Sequence, residues 1–536
     1  MELALQGVSA APGMTVGRAV VLDGARADPP MTVPTDRRAE EAQRALRALE
    51  AAGAQLEKIA KGLRRDGRGG EADIVETGVL MAMDPELISR VEMLAIEVGL
   101  PAADALREAA DQTAAELARL EDPTLALRAD DVRSLGRRAA EHAGVGSKRA
   151  MTGVLVAATL GPADVAELAP KATGIALAGG GVTAHAAIVA RSLGLPMVVG
   201  LGPEVLEIAD GEEVVVDGDR GVVIRKPSAE RAGLARDDAK RRTSAREVAI
   251  ARRLEPAETK DGRRIRVLAN ASTVAELEEA ARQGAEGVGL MRTELLFLEA
   301  LAWPSRDEQV KVMRPVLAGL RGQTATVRLF DFGGDKTPPF LRGIAARGIE
   351  VLLETPELMR THLQAVVEAG QGCNLRILVP TVTSAAQLRA VRQALNTRVQ
   401  VGPMIETPEA AAGADAIARE SDFLSIGTND LTQLVLGLDR EQSRRAPVLD
   451  VRVLRLIANT MRAARAAGIP ADVCGEAASD ANALPIMVGL GADELSVAAA
   501  RVGQVRQWVR EVDFAEAMKE SEKLLHEAGH AGRERV

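Results

Sequence analysis

Tyrosine is absent from this 536-residue chain, and six Phe and two Trp are its only aromatic rings. The first of these is Phe297, so residues 1–296 have no platform on which single-stranded nucleic acid or sugar rings could stack. Cysteine is scarcer still. Cys373 and Cys474 lie far apart, which excludes a disulfide framework or a cysteine zinc cluster and fits a reducing cytoplasm. No apolar run approaches the ~18 residues of a membrane-spanning helix, and the start, MELALQGVSAAPG, has no basic region leading into an apolar stretch. Secretion and membrane spanning are therefore not expected. There is no cationic surplus either: Lys and Arg total 67 against 76 Asp and Glu, and the signs are interspersed, which disfavours nucleic acid as a general partner.

What is present describes a folded, multidomain protein. Hydrophobic residues make up 47% and charged residues 27%, which excludes a disordered chain. The length predicts roughly two to four domains. Residues 1–24 carry short β-rich runs broken by Gly and Pro. From about residue 36 the apolar spacing becomes helical, beginning with RRAEEAQRALRALEAAGAQLEKIAKGL and continuing to about residue 143. GVLVAATL, GIALAGG, PMVVGLG, EEVVVDGD and GVVIRK then read as strands. Strand-rich flanks on both sides predict one α/β domain (1–24 and 147–227) interrupted by an inserted helical subdomain (25–146). A charged, periodic segment, 228–260, predicts a linker helix.

From residue 261 to 536, strand and helix patterns alternate. Candidate strands are 264–269, 286–291, 325–331, 375–380, 399–404, 422–427, 471–475 and 493–498. Eight strands over about 250 residues predict a (β/α)8 barrel, whose chemistry sits at the C-terminal strand ends. Those ends are charged here. Arg292 and Glu294 follow the second strand, and Arg328 on the third leads to Asp331, Asp335 and Lys336. Glu406 follows the fifth strand, Thr428, Asn429 and Asp430 the sixth, and Cys474, Gly475 and Glu476 the seventh. Arg292 and Arg328 offer forked donors for phosphate or carboxylate. Glu406 and Asp430 are hard-oxygen candidates for Mg²⁺ or Mn²⁺. Such a set suits a small, multiply charged anion, with a cation neutralising charge in phosphoryl transfer. Cys474 is either a buried core thiol or a proton donor.

A separate motif precedes the barrel: GGGVTAHAAIVARSLGLPMVVG, residues 179–200. Its glycines lead to Thr183 as a candidate N-cap, and His185 opens an amphipathic helix carrying Ala187, Ile188, Val189 and Leu193. The positive end of the helix dipole favours neutral, nucleophilic imidazole, and a phosphate formed there would face free backbone N–H groups. Capping or packing is the alternative for His185, and it is the reading preferred for His142, His362, His526 and His530.

This histidine segment resembles the phosphohistidine signature of phosphoenolpyruvate-utilising enzymes. GVGLMRTELLFL, VRLFDFGGDK, GPMIETPEA, DFLSIGTNDLTQLVLGLDR and VCGEAASD resemble their barrel motifs in the same order, and GVSAAPGMTVGRAVVL resembles the amino terminus of the Enzyme I family of the sugar phosphotransferase system. The resemblance implies a swivelling phosphohistidine α/β domain, with phosphorylation of His185 on Nε2. It implies phosphoenolpyruvate binding by Arg292, Arg328, Asn429, Asp430 and Arg440, Mg²⁺ held by Glu406 and Asp430, and protonation of the enolate by Cys474 to give pyruvate. The partner implied is a histidine-containing phosphocarrier protein docked on the inserted helices. A cytoplasmic homodimer joined through the barrel is also implied.

The chain departs from the family pattern in places. Ala184 and Ala186 replace the Ser and Thr often found beside the histidine. Glu350 stands where an arginine is common, although Arg347 matches one nearby, and EQSRRAPVLDVRVL lacks the usual Leu-Tyr and His-Pro elements. Two other functions share these motifs. A dikinase or synthase needs a nucleotide-binding domain, and no GxxxxGK[ST] loop is found. A catalytically weakened sensor of phosphoenolpyruvate would use the same fold.

Overall fold

The computed structural model describes residues 2–22, 32–65, 69–119, 128–144, 152–181, 184–297, 300–333, 337–341, 346–395, 397–438 and 449–531. They form two compact units, Met1–Ala245 and Arg246–Val536. No described helix is long and apolar enough to cross a membrane.

The first unit is built on a mixed sheet of β1 (Leu3–Gln6), β2 (Val8–Ala11), β3 (Met14–Val21), β4 (Gly153–Ala157), β5 (Ala172–Leu177), β6 (Met197–Val199), β7 (Glu213–Asp217) and β8 (Val222–Arg225). Its strand order is β1-β8-β7-β3-β4-β5-β6-β2. β3 to β6 run parallel, and β4, a run of Gly, Val, Leu and Ala, is buried along its whole length. Such unbroken apolar strands belong between two covered faces.

Between β3 and β4, which are neighbours in the sheet, lie α1 (Arg38–Arg65), α2 (Gly69–Ala82), α3 (Pro85–Met93), α4 (Ala102–Leu117) and α5 (Ala129–Ala143). Their buried faces are rich in alanine, as at Ala42, Ala45, Ala48 and Ala52 on α1. Small side chains let the helices approach closely. At Gly136 on α5 a Cβ would lie 2.3 Å from Ala110 Cβ and 3.2 Å from the Leu106 carbonyl oxygen on α4. Gly136→Val is therefore expected to destabilise this unit by about 2–3 kcal/mol, through overpacking that a backbone neighbour cannot relieve. Urea denaturation followed by circular dichroism would measure the loss.

Polar contacts fasten α5 to α6 (Pro162–Leu168). Arg138 reaches Asp164 at 2.8 Å and Glu167 at 2.5 Å, and the Ser134 hydroxyl donates to Asp164 at 2.6 Å. Burial pushes the Asp164 carboxyl up, but Arg138 and Arg137 outweigh it and hold the group below its ordinary range. The inserted helices are thereby fixed to the sheet that carries α7 (His185–Leu193). Helix α8 (Ala229–Ala251) spans the division between the units.

The second unit is a closed barrel of β9 (Arg266–Asn270), β10 (Gly287–Arg292), β11 (Thr324–Arg328), β12 (Asn374–Val379), β13 (Gln400–Ile405), β14 (Leu424–Gly427), β15 (Ala471–Cys474) and β16 (Glu494–Ala498). Every neighbouring pair is parallel, and β16 against β9 closes the ring. All eight strands overlap the segments expected from sequence. A buried polar layer lies toward the N-terminal strand ends. Glu494 accepts from Arg266 Nη1 at 2.5 Å and Arg376 Nη1 at 2.6 Å. Asp472 accepts from the hydroxyls of Ser425 and Ser496, each at 2.8 Å. Leu290, Leu378, Met404, Phe423 and Cys474 form an apolar cluster.

Phe297, Trp303, Phe330, Phe332 and Phe340 pack on one another. Trp303 meets Phe330, Phe332 and Phe340 edge-on, with ring centroids 5.5–5.9 Å apart. His362 stacks on Phe330 and lies between Gln309 Oε1 and the Phe330 amide. Burial pushes its pKa down to about 3, so it is a neutral packing residue.

Candidate active site

In the first unit, His185 is the first residue of α7. Thr183, the expected cap, lies outside the described residues, and the N-cap position belongs to Ala184, which has no side-chain oxygen to cap with. This corrects the sequence reading by one residue. The helix starts without a side-chain cap because α7 is anchored from below: Ala186, Ala187, Val189 and Ala190 are buried against the sheet. Gly194, at φ 70°, ends it in the left-handed conformation.

The His185 ring is held by a residue that sequence reasoning did not find. Nδ1 lies 2.8 Å from Asp131 Oδ2, on the first turn of inserted helix α5. Arg128 Nη1 approaches the same oxygen at 3.5 Å. Asp131 is buried, and the His185 side chain is 15% exposed. A carboxylate on Nδ1 selects the neutral tautomer with its proton there. The lone pair is then on Nε2.

In the second unit, parallel strands deliver the expected residues to one end of the barrel. Arg292 ends β10 with its side chain exposed, while its amide donates to Ser272 Oγ at 3.0 Å. Arg328 ends β11 and is buried. Its Nη2 contacts Glu294 Oε1 at 2.5 Å and Asp331 Oδ2 at 3.1 Å, and its Nη1 meets Met404 Sδ at 3.5 Å. Burial pushes the Arg328 pKa down, but Glu294, Asp331 and Glu406 outweigh it and hold it above its ordinary value. Its Nε is a buried donor with no hydrogen-bond partner among the described residues. Glu294 and Asp331 both hold this guanidinium through Nη2.

Glu406 follows β13 and is buried. Its Oε1 accepts from the Thr381 amide at 2.7 Å. Thr381 is a β-branched residue at φ 49°, a costly conformation that aims its N–H at Glu406 while its Oγ1 accepts from the Ile349 amide at 3.2 Å. Burial, with Asp331 and Asp430 adding to it and Arg328 opposing, pushes the Glu406 pKa up to about 8. Asp430, on the first turn of Thr428–Leu436, lies 3.7 Å from Arg347 Nη2. Asn429 accepts from the Glu476 amide at 2.8 Å. Glu350 is exposed.

Cys474 ends β15 and is 3% exposed. Its thiol donates to the Ile426 carbonyl at 3.4 Å. Burial, then the charge of Asp472, pushes its pKa up to about 12, so it stays a thiol at neutral pH. Arg440, Asp335 and Lys336 lie outside the described residues.

Family models match the chain in three successive segments. The N-terminal model of the PEP-utilising enzymes matches residues 6–128, the mobile-domain model 151–221 and the PEP-binding-domain model 246–514. His185 falls in the mobile-domain match. The chain is 36% identical over 497 residues to the multiphosphoryl transfer protein of Rhodobacter capsulatus, covering 88% of this chain and 60% of that one. It is 37% identical over 484 residues to the multiphosphoryl transfer protein of Xanthomonas campestris pv. campestris, covering 85% and 58%. The chain thus spans about three fifths of the length of these two relatives. Against the phosphoenolpyruvate-protein phosphotransferase of Streptomyces coelicolor, identity is 36% over 546 residues, covering 96% and 95%. With all three models matched in order, and with a relative aligned over nearly its whole length, this chain belongs to the family of PEP-utilising enzymes.

Proposed function

We propose that the chain transfers the phosphoryl group of phosphoenolpyruvate to His185, and then to a histidine of a small phosphocarrier protein, releasing pyruvate. The observation that carries this reading is the His185–Asp131 contact, which occupies Nδ1 and presents Nε2 as nucleophile at a helix start. Attack by Nε2 breaks the bond between phosphorus and the enol oxygen. The phosphate then formed sits by α7's first free amides.

At the barrel mouth, Arg328 is fixed by its carboxylates and Arg292 is free to close on a bound anion; together with Asn429, Asp430 and Arg440 they would hold the substrate. The Cys474 thiol would protonate the enolate carbon. Glu406 and Asp430 would hold Mg²⁺. They are hard-oxygen donors, and burial with the charges of Asp331 and Asp430 pushes the Glu406 carboxyl up, a direction that a bound divalent cation would reverse. The bound ion would withdraw charge from the phosphoryl and enolate oxygens. A homodimer through the barrel, a cytoplasmic location and carrier docking on the inserted helices belong to the same reading and rest on the family resemblance.

Incubation with ³²P-phosphoenolpyruvate and Mg²⁺ should place acid-labile label on His185 with one pyruvate released per label, and a histidine phosphocarrier should remove it. Labelling from γ-³²P-ATP instead would favour the dikinase reading, and binding of phosphoenolpyruvate without pyruvate release would favour the sensor. Asp131→Asn should slow labelling by about 10- to 100-fold, because an amide no longer selects the Nδ1–H tautomer. Quenched-flow kinetics would show the loss in the rate constant rather than in the affinity for phosphoenolpyruvate.

A further inference from the structure

Cys474, once it has given up a proton, is surrounded by apolar side chains and needs a polar neighbour to recover one. It is 3% exposed and packed with Leu290, Leu378, Met404 and Phe423. One hydroxyl connects it to another acid. Ser425 Oγ on β14 lies 3.6 Å from Cys474 Sγ and 2.8 Å from Asp472 Oδ2, two residues earlier on β15. Resting on the reading of Cys474 as the proton donor, we propose that Ser425 and Asp472 form the proton supply that restores the Cys474 thiol between turnovers.

A serine hydroxyl has a single proton to donate. When Asp472 is a carboxylate, that proton points to Asp472. When Asp472 is protonated, it can donate to Ser425 Oγ, which frees the serine proton for the sulfur. In the step, the Cys474 S–H bond breaks as the C–H bond of pyruvate's methyl group forms, leaving a thiolate. The Ser425 O–H proton moves to the sulfur while the Asp472 proton moves to Ser425 Oγ. Asp472 ends as a carboxylate and is reprotonated from solvent water before the next cycle.

The surroundings of Asp472 suit a proton store. It is buried. Burial and the neighbouring carboxylate of Glu494 push its pKa up to about 7, opposed by the Ser425 and Ser496 hydroxyls and by Arg376. Arg376 and Arg266 are both engaged by Glu494, and Cys474 is a further titratable neighbour. A purely structural carboxylate beside two arginines would remain ionised. Asp472 instead bonds to two neutral hydroxyls, and Glu494 takes the arginines.

Asp472→Asn keeps the shape and the hydrogen-bonding capacity but removes the acid, and Ser425→Ala cuts the link while leaving every charge in place. Both variants start with a loaded thiol. With enzyme in excess over phosphoenolpyruvate and Mg²⁺ present, pyruvate formation in the first turnover should stay within about twofold of wild type. With excess phosphoenolpyruvate and a histidine phosphocarrier as acceptor, the steady rate should fall about tenfold or more. One pyruvate per enzyme should then appear as a burst that wild type lacks. An unchanged steady rate in both variants overturns the proposal. Equal loss in first and later turnovers also overturns it, since that marks a structural role. Cys474→Ala separates the premise: wild-type pyruvate formation in that variant would remove Cys474 as the acid, whereas a normal Asp472→Asn beside a defective Cys474→Ala would remove only the relay.

Discussion

Replacing His185 with alanine is expected to abolish phosphoenolpyruvate-dependent labelling and pyruvate release, with a loss of about 10⁴-fold or more, the scale on which enzymes lose rate with their nucleophile. The helix start tolerates the change, since Ala184 already caps α7 without a side-chain bond and alanine is the strongest helix former, but buried Asp131 loses its imidazole partner, so stability should fall by about 1–3 kcal/mol. The variant keeps every barrel side chain proposed to hold the substrate, so the affinity for phosphoenolpyruvate should stay within about threefold of wild type. Isothermal titration with phosphoenolpyruvate and Mg²⁺ tests that half of the expectation, and acid-labile radiolabel tests the other. Undiminished label on the alanine variant would end the phosphohistidine reading.

Arg328→Ala should damage both fold and chemistry. The guanidinium is held among Glu294, Asp331 and Met404, and Glu294 is 0% exposed. Removing the cation leaves buried negative charge uncompensated, a change that costs about 3–5 kcal/mol. The substrate would lose a fixed, forked donor at the same time, and pyruvate formation should fall by about 10²- to 10³-fold. Arg328→Lys separates the two effects. A lysine keeps the charge, so much of the melting temperature should return, but a single ammonium cannot reproduce the planar fork, so the rate should not. Full recovery of rate in the lysine variant would show that charge alone matters at this position.

The barrel was legible from the chain because each strand is a short apolar run between helical patterns, and the charged residues at its mouth follow those runs directly. His185 stood out because three glycines precede an amphipathic helix. The partners of these residues were hidden. Asp131 lies 54 residues before His185 and looks like an ordinary acidic residue in a first helical turn; only the return of the chain from the insertion brings it to the ring. Glu294 and Asp331 were visible as strand-end charges, but not as the anchors of Arg328. Thr381 carries no sequence mark of its positive φ, which depends on contacts with Glu406 and Ile349 from separate elements. Asp472 in ADVCG reads as a break in an apolar strand, and its meaning depends on Ser425 of the preceding barrel strand.

The placement of Asp131 on the inserted helices has a thermodynamic corollary. The residue that prepares His185 belongs to α5, whereas the histidine belongs to α7, so the imidazole senses the position of a neighbouring part of the chain. Any protein that binds the inserted helices and displaces α5 changes the free energy of the phosphorylated histidine. Linkage is reciprocal, so phosphorylation must alter the affinity for that protein by the same factor. On the proposed reading, the insertion between β3 and β4 would thus give the phosphorylated and unphosphorylated chain two different affinities for one partner, without a second ligand site.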